Sequence, residues 1–141
     1  MNYHFTKDLL KSILAVIGGG FFLYAGVLHF TDTSWFEPIV PPIFGSATFW
    51  VLLSGAAEIA IGIGLIAPKT REKSGYASAL LLIAVYPANL YMWIYDIELG
   101  DGVLLSPIGH VIRLCFQIGG ILLSLWIAGW SVKFKTNYSR T

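Results

Sequence analysis

Four apolar stretches, each long enough to cross the hydrocarbon core of a bilayer, divide this chain: Ser12 to Phe30, Ala47 to Ala67, Gly75 to Tyr95 and Pro107 to Trp130. A helical crossing takes about 20 residues. In lipid, a spanning segment must satisfy its own backbone hydrogen bonds, which leaves helices or a closed barrel. The stretches therefore predict an all-α integral membrane four-helix bundle, a single transmembrane domain over residues 1–141. Composition agrees: 56% of residues are hydrophobic and 12% charged, with a mean hydropathy of +0.71, where a soluble domain carries about a quarter charged residues. The first stretch exceeds the apolar core of a secretory signal peptide and no convincing small-residue cleavage site follows it, so it is expected to remain as a span.

The charges are sorted by loop. Lys7 and Lys11 precede the first span, Lys69, Arg71 and Lys73 lie between the second and third, and Lys133, Lys135 and Arg140 follow the fourth. The other two loops contain no Lys or Arg but carry Asp32, Glu37, Asp96, Glu98 and Asp101. Basic residues concentrate on the cytoplasmic side of membrane proteins. Both termini and the short middle turn are thus expected in the cytoplasm, and the first and third loops outside, as in a multi-pass protein of the inner membrane. The loop over residues 31–46 interleaves Trp35, Phe36, Ile39, Val40, Ile43 and Phe44 with three prolines. Proline opposes a continuous helix, and the apolar side chains resist water, so this loop is expected to be partly re-entrant or interfacial, folded over the outer end of the bundle as a lid.

One basic residue, Arg113, breaks the sorting by sitting inside a span, as does the carboxylate of Glu58 in SGAAEIAIGIGLIAP. Ionisable groups at such depth are costly and face the interior of a bundle, where they find partners. His110, Arg113 and Gln117, at i, i+3 and i+7, share a wedge of about 60° on one helix face, and Ser106 and Ser124 extend that stripe. At about 1.5 Å rise per residue, Glu58 lies about 12 Å and Arg113 about 9 Å below the outer boundary, which predicts an ion pair between them across spans two and four. Ser54, Gly55 and Gly62 share the face of Glu58, and small residues admit a close helix neighbour. Asn89 stands beside Pro87, where the helix is expected to kink, and His29 ends the first span above Gly18, Ala25 and Gly26. The candidate ligand-binding set is His29, Glu58, Asn89, His110, Arg113 and Gln117, converging on the outer half of one interior.

Several classes are disfavoured. There is no nucleic-acid-binding patch and no metal-ligand run. The single cysteine, Cys115, is read as a small buried packing residue and allows no internal disulfide or C-x-x-C couple. A haem between the two histidines would lie too close to the outer boundary, and four spans without an inverted repeat are few for a transporter.

Taken together, Gly26 with His29-Phe30, Ile39-Val40-Pro41, Ser54-Gly55 with Glu58, Gly62, Gly64 and Leu65, Pro68 and Arg71, Pro87-Ala88-Asn89, and Arg113 with Gln117 resemble the DoxX family of small four-helix membrane proteins over nearly the whole chain. That resemblance implies a membrane subunit or partner of a redox system. It leads to the expectation of a small apolar or amphipathic ligand, with a quinone as the candidate cofactor, in a pocket open to the outer face. A soluble or membrane redox subunit is the expected protein partner beside the bilayer itself, and a homo-oligomer stays open. The alternative is a non-catalytic scaffold or assembly factor whose buried polar network is structural; no flavin, iron–sulfur or nicotinamide motif makes the chain a redox enzyme by itself.

Overall fold

The computed structural model describes residues 3–130, so Lys133, Lys135 and Arg140 lie outside the described residues. Five α-helices and two 3₁₀ turns follow in order: α1 (Tyr3–Thr31), α2 (Thr33–Phe36), turns at Glu37–Ile39 and Pro42–Phe44, α3 (Ala47–Ile66), α4 (Arg71–Ile94) and α5 (Pro107–Ile127). Helices α1, α3, α4 and α5 are each long and apolar enough to cross a membrane. Hydropathy marks where a helix can meet lipid rather than where it starts. Accordingly α1 begins nine residues before Ser12, and α4 takes Arg71 to Ser74 as its first turn. Ser46 and Ser106 cap α3 and α5, accepting from the amides of Phe49 at 3.3 Å and Gly109 at 3.1 Å, the usual service of a serine to an orphan N–H. Ser106 thus serves as a cap rather than extending a polar stripe. Beyond α5, Gly129 takes φ +89°, a left-handed conformation that ends a helix readily at glycine.

The long helices form two close antiparallel pairs. In α1 and α3, glycines seven residues apart face one another: a Cβ placed on Gly26 would stand 2.7 Å from the carbonyl oxygen of Gly55, and one on Gly19 the same distance from that of Gly62. Backbone meets backbone there, which only glycine permits. In α4 and α5, a Cβ on Gly75 would lie 2.8 Å from the carbonyl oxygen of Ser124. The pairs join at the end bearing the Ala67–Thr70 turn, here the turn end, where Ala15, Phe22, Ile61, Leu65 and Ile127 form the core. There Lys11 lies 5.8 Å over the Trp126 ring, tying α1 to α5. Arg71 donates to the carbonyls of Leu65 (2.9 Å) and Ile66 (3.1 Å), which α3 leaves without partners, and to the Ser12 hydroxyl (2.9 Å).

At the opposite, loop end the pairs separate and loops fill the mouth. Ile39, Met92 and Leu99 form a second core with Trp35 and Leu105 packed on it, so the first loop folds back over the helix ends. The two loops clasp each other: the Gly100 amide donates to the Trp35 carbonyl at 3.1 Å, and a Cβ on Gly100 would fall 2.6 Å from the Trp35 Cα. The Trp35 indole beside Asp101 holds its carboxyl below the usual carboxylate range, helped by the Val103 amide. The outward face is apolar throughout, with Phe116 77%, Ile108 72% and Leu80 68% exposed, far beyond the scattered apolar exposure of a water-soluble surface. Cys115 is on that exposed face of α5, which corrects the expectation that it is buried: the stripe that packs on α4 runs through Gln117, Gly120 and Ser124 instead.

Two outcomes follow. Gly26→Ala should destabilise by about 2 kcal/mol because its Cβ meets fixed backbone, whereas Gly20→Ala, whose Cβ meets nothing within 4 Å, should gain up to about 1 kcal/mol of helix propensity; equal shifts in thermal unfolding in detergent would remove the seam from the account. For the clasp, a depressed folded-state pKa at Asp101 means stabilisation that is present above about pH 4 and lost as pH falls through the folded value. Hydrogen-exchange protection of the Gly100 amide should therefore be higher in the wild type than in Asp101→Asn at pH 6, and equal in the two at pH 2; a gap unchanged by pH would show that the carboxylate is not involved.

Candidate functional site

Where the two pairs part, a cavity of about 620 Å³ opens. Phe21, Ala25 and His29 line it from α1, Ser54, Ala57 and Glu58 from α3, and Ala84, Val85 and Asn89 from α4, while α5 contributes Arg113 and Gln117. Phe36, Val40 and Phe44 of the first loop cover it. Five of the six candidate residues therefore share one cavity. His110, the sixth, is 3% exposed and stacks on Trp93 with ring centroids 5.5 Å apart. It lines a crevice of about 10 Å³ behind the cavity, beside Asn89, Arg113 and Gln117.

The ion pair expected between Glu58 and Arg113 is absent. Among the described residues, Glu58 pairs with His29, whose Nδ1 lies 3.1 Å from Oε2. The glycine seam is the cause. It brings α1 so close to α3 that a Cβ on Gly55 would collide with the His29 Cβ. The imidazole turns back along its own helix to donate from Nδ1 to the Ala25 carbonyl at 2.7 Å, and that places it against Glu58. Phe36 stacks on the same ring at 4.1 Å. Arg113 instead reaches its neighbour α4, donating from Nη1 to the Met92 sulfur at 2.8 Å. Equal depth is not adjacency, because the cavity stands between the two charges.

On the α4–α5 side the polar groups connect. Asn89 donates to Gln117 Oε1 at 3.2 Å, and Gln117 Nε2 donates to the Leu82 carbonyl. Leu82 immediately precedes Ile83, whose carbonyl is the one Pro87 deprives of a partner. Helix α4 nevertheless runs continuously from Arg71 to Ile94 with Pro87 inside it. The side chain of Gln117 supports the weakened stretch from the neighbouring helix. Sequence reasoning missed Met92, which carries no polar signal in an apolar run, and Phe36, whose aromatic loop context was the only pointer. Trp50 also lines the cavity and donates to the Phe44 carbonyl at 2.8 Å, pinning the covering loop.

Residues 19–128 match the family described as Domain of unknown function (DUF8561). The chain belongs to that family. No curated protein and no solved structure matches it. The matched span of this DUF8561 chain contains both glycine pairs, the covering loop and all six candidate residues.

A double-mutant cycle in ligand-free protein separates the two pairings. His29→Phe with Glu58→Gln should show a coupling of about 1 kcal/mol, while Glu58→Gln with Arg113→Met should be additive within about 0.5 kcal/mol. The reverse ordering in thermal unfolding would restore the direct Glu58–Arg113 pair.

Proposed function

We propose that this chain is an inner-membrane, multi-pass protein whose loop-end cavity binds a small apolar or amphipathic molecule such as a quinone, and that it serves as membrane subunit or partner of a redox system, as its resemblance to the DoxX family implies. The observation that carries this is the cavity itself. Its volume falls within the roughly 300–1,000 Å³ of small-molecule sites, and such sites set a few polar groups in apolar walls. Sidedness rests on charge: Lys69, Arg71 and Lys73 occupy the turn end, Asp32, Glu37, Asp96, Glu98 and Asp101 the loop end, so the positive-inside rule puts the turn end and both termini in the cytoplasm.

The donor set suits a quinone head group. Arg113 has five N–H donors, of which one is engaged with Met92, and Asn89 keeps a second amide hydrogen free for a carbonyl oxygen. A bound quinone would supply the electron chemistry. The chain's own contribution would be to orient the head group through Arg113 and Asn89, to hold a proton on His29 Nδ1 next to Glu58, and to exclude water with the aromatic loop.

Filling the cavity tests this. Ala57→Leu and Ser54→Leu, each checked for retained helicity, should weaken binding of a decyl-substituted benzoquinone at least about tenfold, a loss of about 1.4 kcal/mol; undiminished binding in both folded variants would overturn it. A second proposal, a non-catalytic scaffold or assembly factor, is favoured by one observation: the Asn89–Gln117–Leu82 chain ties α4 to α5 with no ligand needed. Isolation from native membranes distinguishes the two, since a scaffold keeps its protein partner when the cavity is filled.

A further inference from the structure

The two charges that do not touch face one cavity from opposite walls, and the walls differ in what they offer. On the α1–α3 wall the only imidazole proton that the structure assigns is spent. A carbonyl oxygen can only accept, so the 2.7 Å contact with Ala25 fixes the hydrogen of His29 on Nδ1, which leaves Nε2 of the neutral ring as an acceptor. Glu58 Oε2 is buried against the same Nδ1–H, 3.1 Å away and already directed at Ala25, and no other described donor reaches it. No described residue donates to the other oxygen, and the side chain keeps 14% exposure toward the cavity it lines. This wall is one of acceptors. The charged donor stands on the α4–α5 wall, where the guanidinium of Arg113 is unopposed by any carboxylate among the described residues and the Asn89 amide beside it can both donate and accept.

A head group that only accepts hydrogen bonds, as an oxidised quinone does, satisfies Arg113 but sets its second oxygen lone pair against lone pair on the Glu58 side. A head group that accepts on one side and donates on the other completes both walls and joins the two charges through itself. We infer that the cavity is built for an amphiphile whose aromatic head group carries a hydroxyl, the reduced quinol class, donating to Glu58 and accepting from Arg113. This rests on the cavity being a ligand site, and adds which redox state of the ligand it prefers.

Titration of the purified full chain with three probes decides it: a decyl-substituted benzoquinol kept reduced under anaerobic conditions, the corresponding benzoquinone, and the quinol with both hydroxyls methylated. A hydrogen bond to a charged group is among the stronger ones, so the quinol should bind at least about tenfold more tightly than either other probe. In Glu58→Gln, whose amide both donates and accepts, that preference should fall to within about threefold. Equal binding of quinol and quinone by the wild type overturns the inference without any variant, as does a preference that Glu58→Gln leaves intact. If the quinone binds and is displaced by cavity-filling substitutions but the quinol shows no advantage, only the preference for the reduced form is lost. If none of the three binds, the ligand site itself is refuted and this inference with it.

Discussion

The closeness of α1 to α3 decides what the rest of the molecule can do. Two glycines on each helix, seven residues apart, let the backbones touch, and in a lipid setting such contact replaces the hydrophobic drive that a soluble protein would use. The seam makes α1 and α3 one body. The second pair packs on this body at the turn end, around Ala15, Phe22, Ile61, Leu65 and Ile127, and leaves it toward the loop end. The space left at the loop end is a consequence of that economy of contact. It lies directly beside the residues that the seam positions, His29 and Glu58.

Placing charges on opposite sides of a cavity is expensive compared with pairing them, because each ion keeps part of its desolvation cost. The structure reduces the cost locally. Glu58 has His29, and Arg113 has the polarisable sulfur of a fully buried Met92. Neither partner neutralises its charge as the other charge would. A fold selected only for stability would close the gap with larger side chains than Ala57, Ala84 and Ala25 or bring the ions together; the small residues on three walls keep it open.

Much of this was legible in the residues. The four spans, their order and the covering role of the aromatic loop follow from hydropathy and proline placement, and the level of Glu58 and Arg113 follows from helical rise alone. What could not be read was which helices stand side by side. Periodicity gives the face of a residue relative to its own helix, and depth gives its height, but the arrangement of helices around the bundle depends on which glycine faces interlock. Gly26 was visible as a small residue below His29, but the face was read as continuing through Gly18, whose Cβ would meet nothing, rather than Gly19, and nothing in one helix specifies that Gly19 and Gly26 answer Gly62 and Gly55. The partner of Glu58 was therefore assigned by level, and the residue actually beside it was the histidine of the interlocked neighbour. For Met92 there was no signal, since an apolar residue in an apolar span gives no hint that it faces a guanidinium.

The polar side chains of α4 and α5 have a double duty that bears on the mechanics of the cleft. Pro87 removes a backbone donor inside α4, and Gln117 reaches the adjoining carbonyl at Leu82 while accepting from Asn89. The α4–α5 wall is thus braced right beside the Ile83 carbonyl that Pro87 leaves without its helical partner. The acceptor wall is braced by the glycine seam. The two walls are joined at the turn end, where Arg71 of α4 holds the carbonyls of α3 and the hydroxyl of Ser12 at once. At the loop end the Trp35–Gly100 hydrogen bond ties the two loops to each other across the mouth, so the cavity is held closed by contacts at both of its ends.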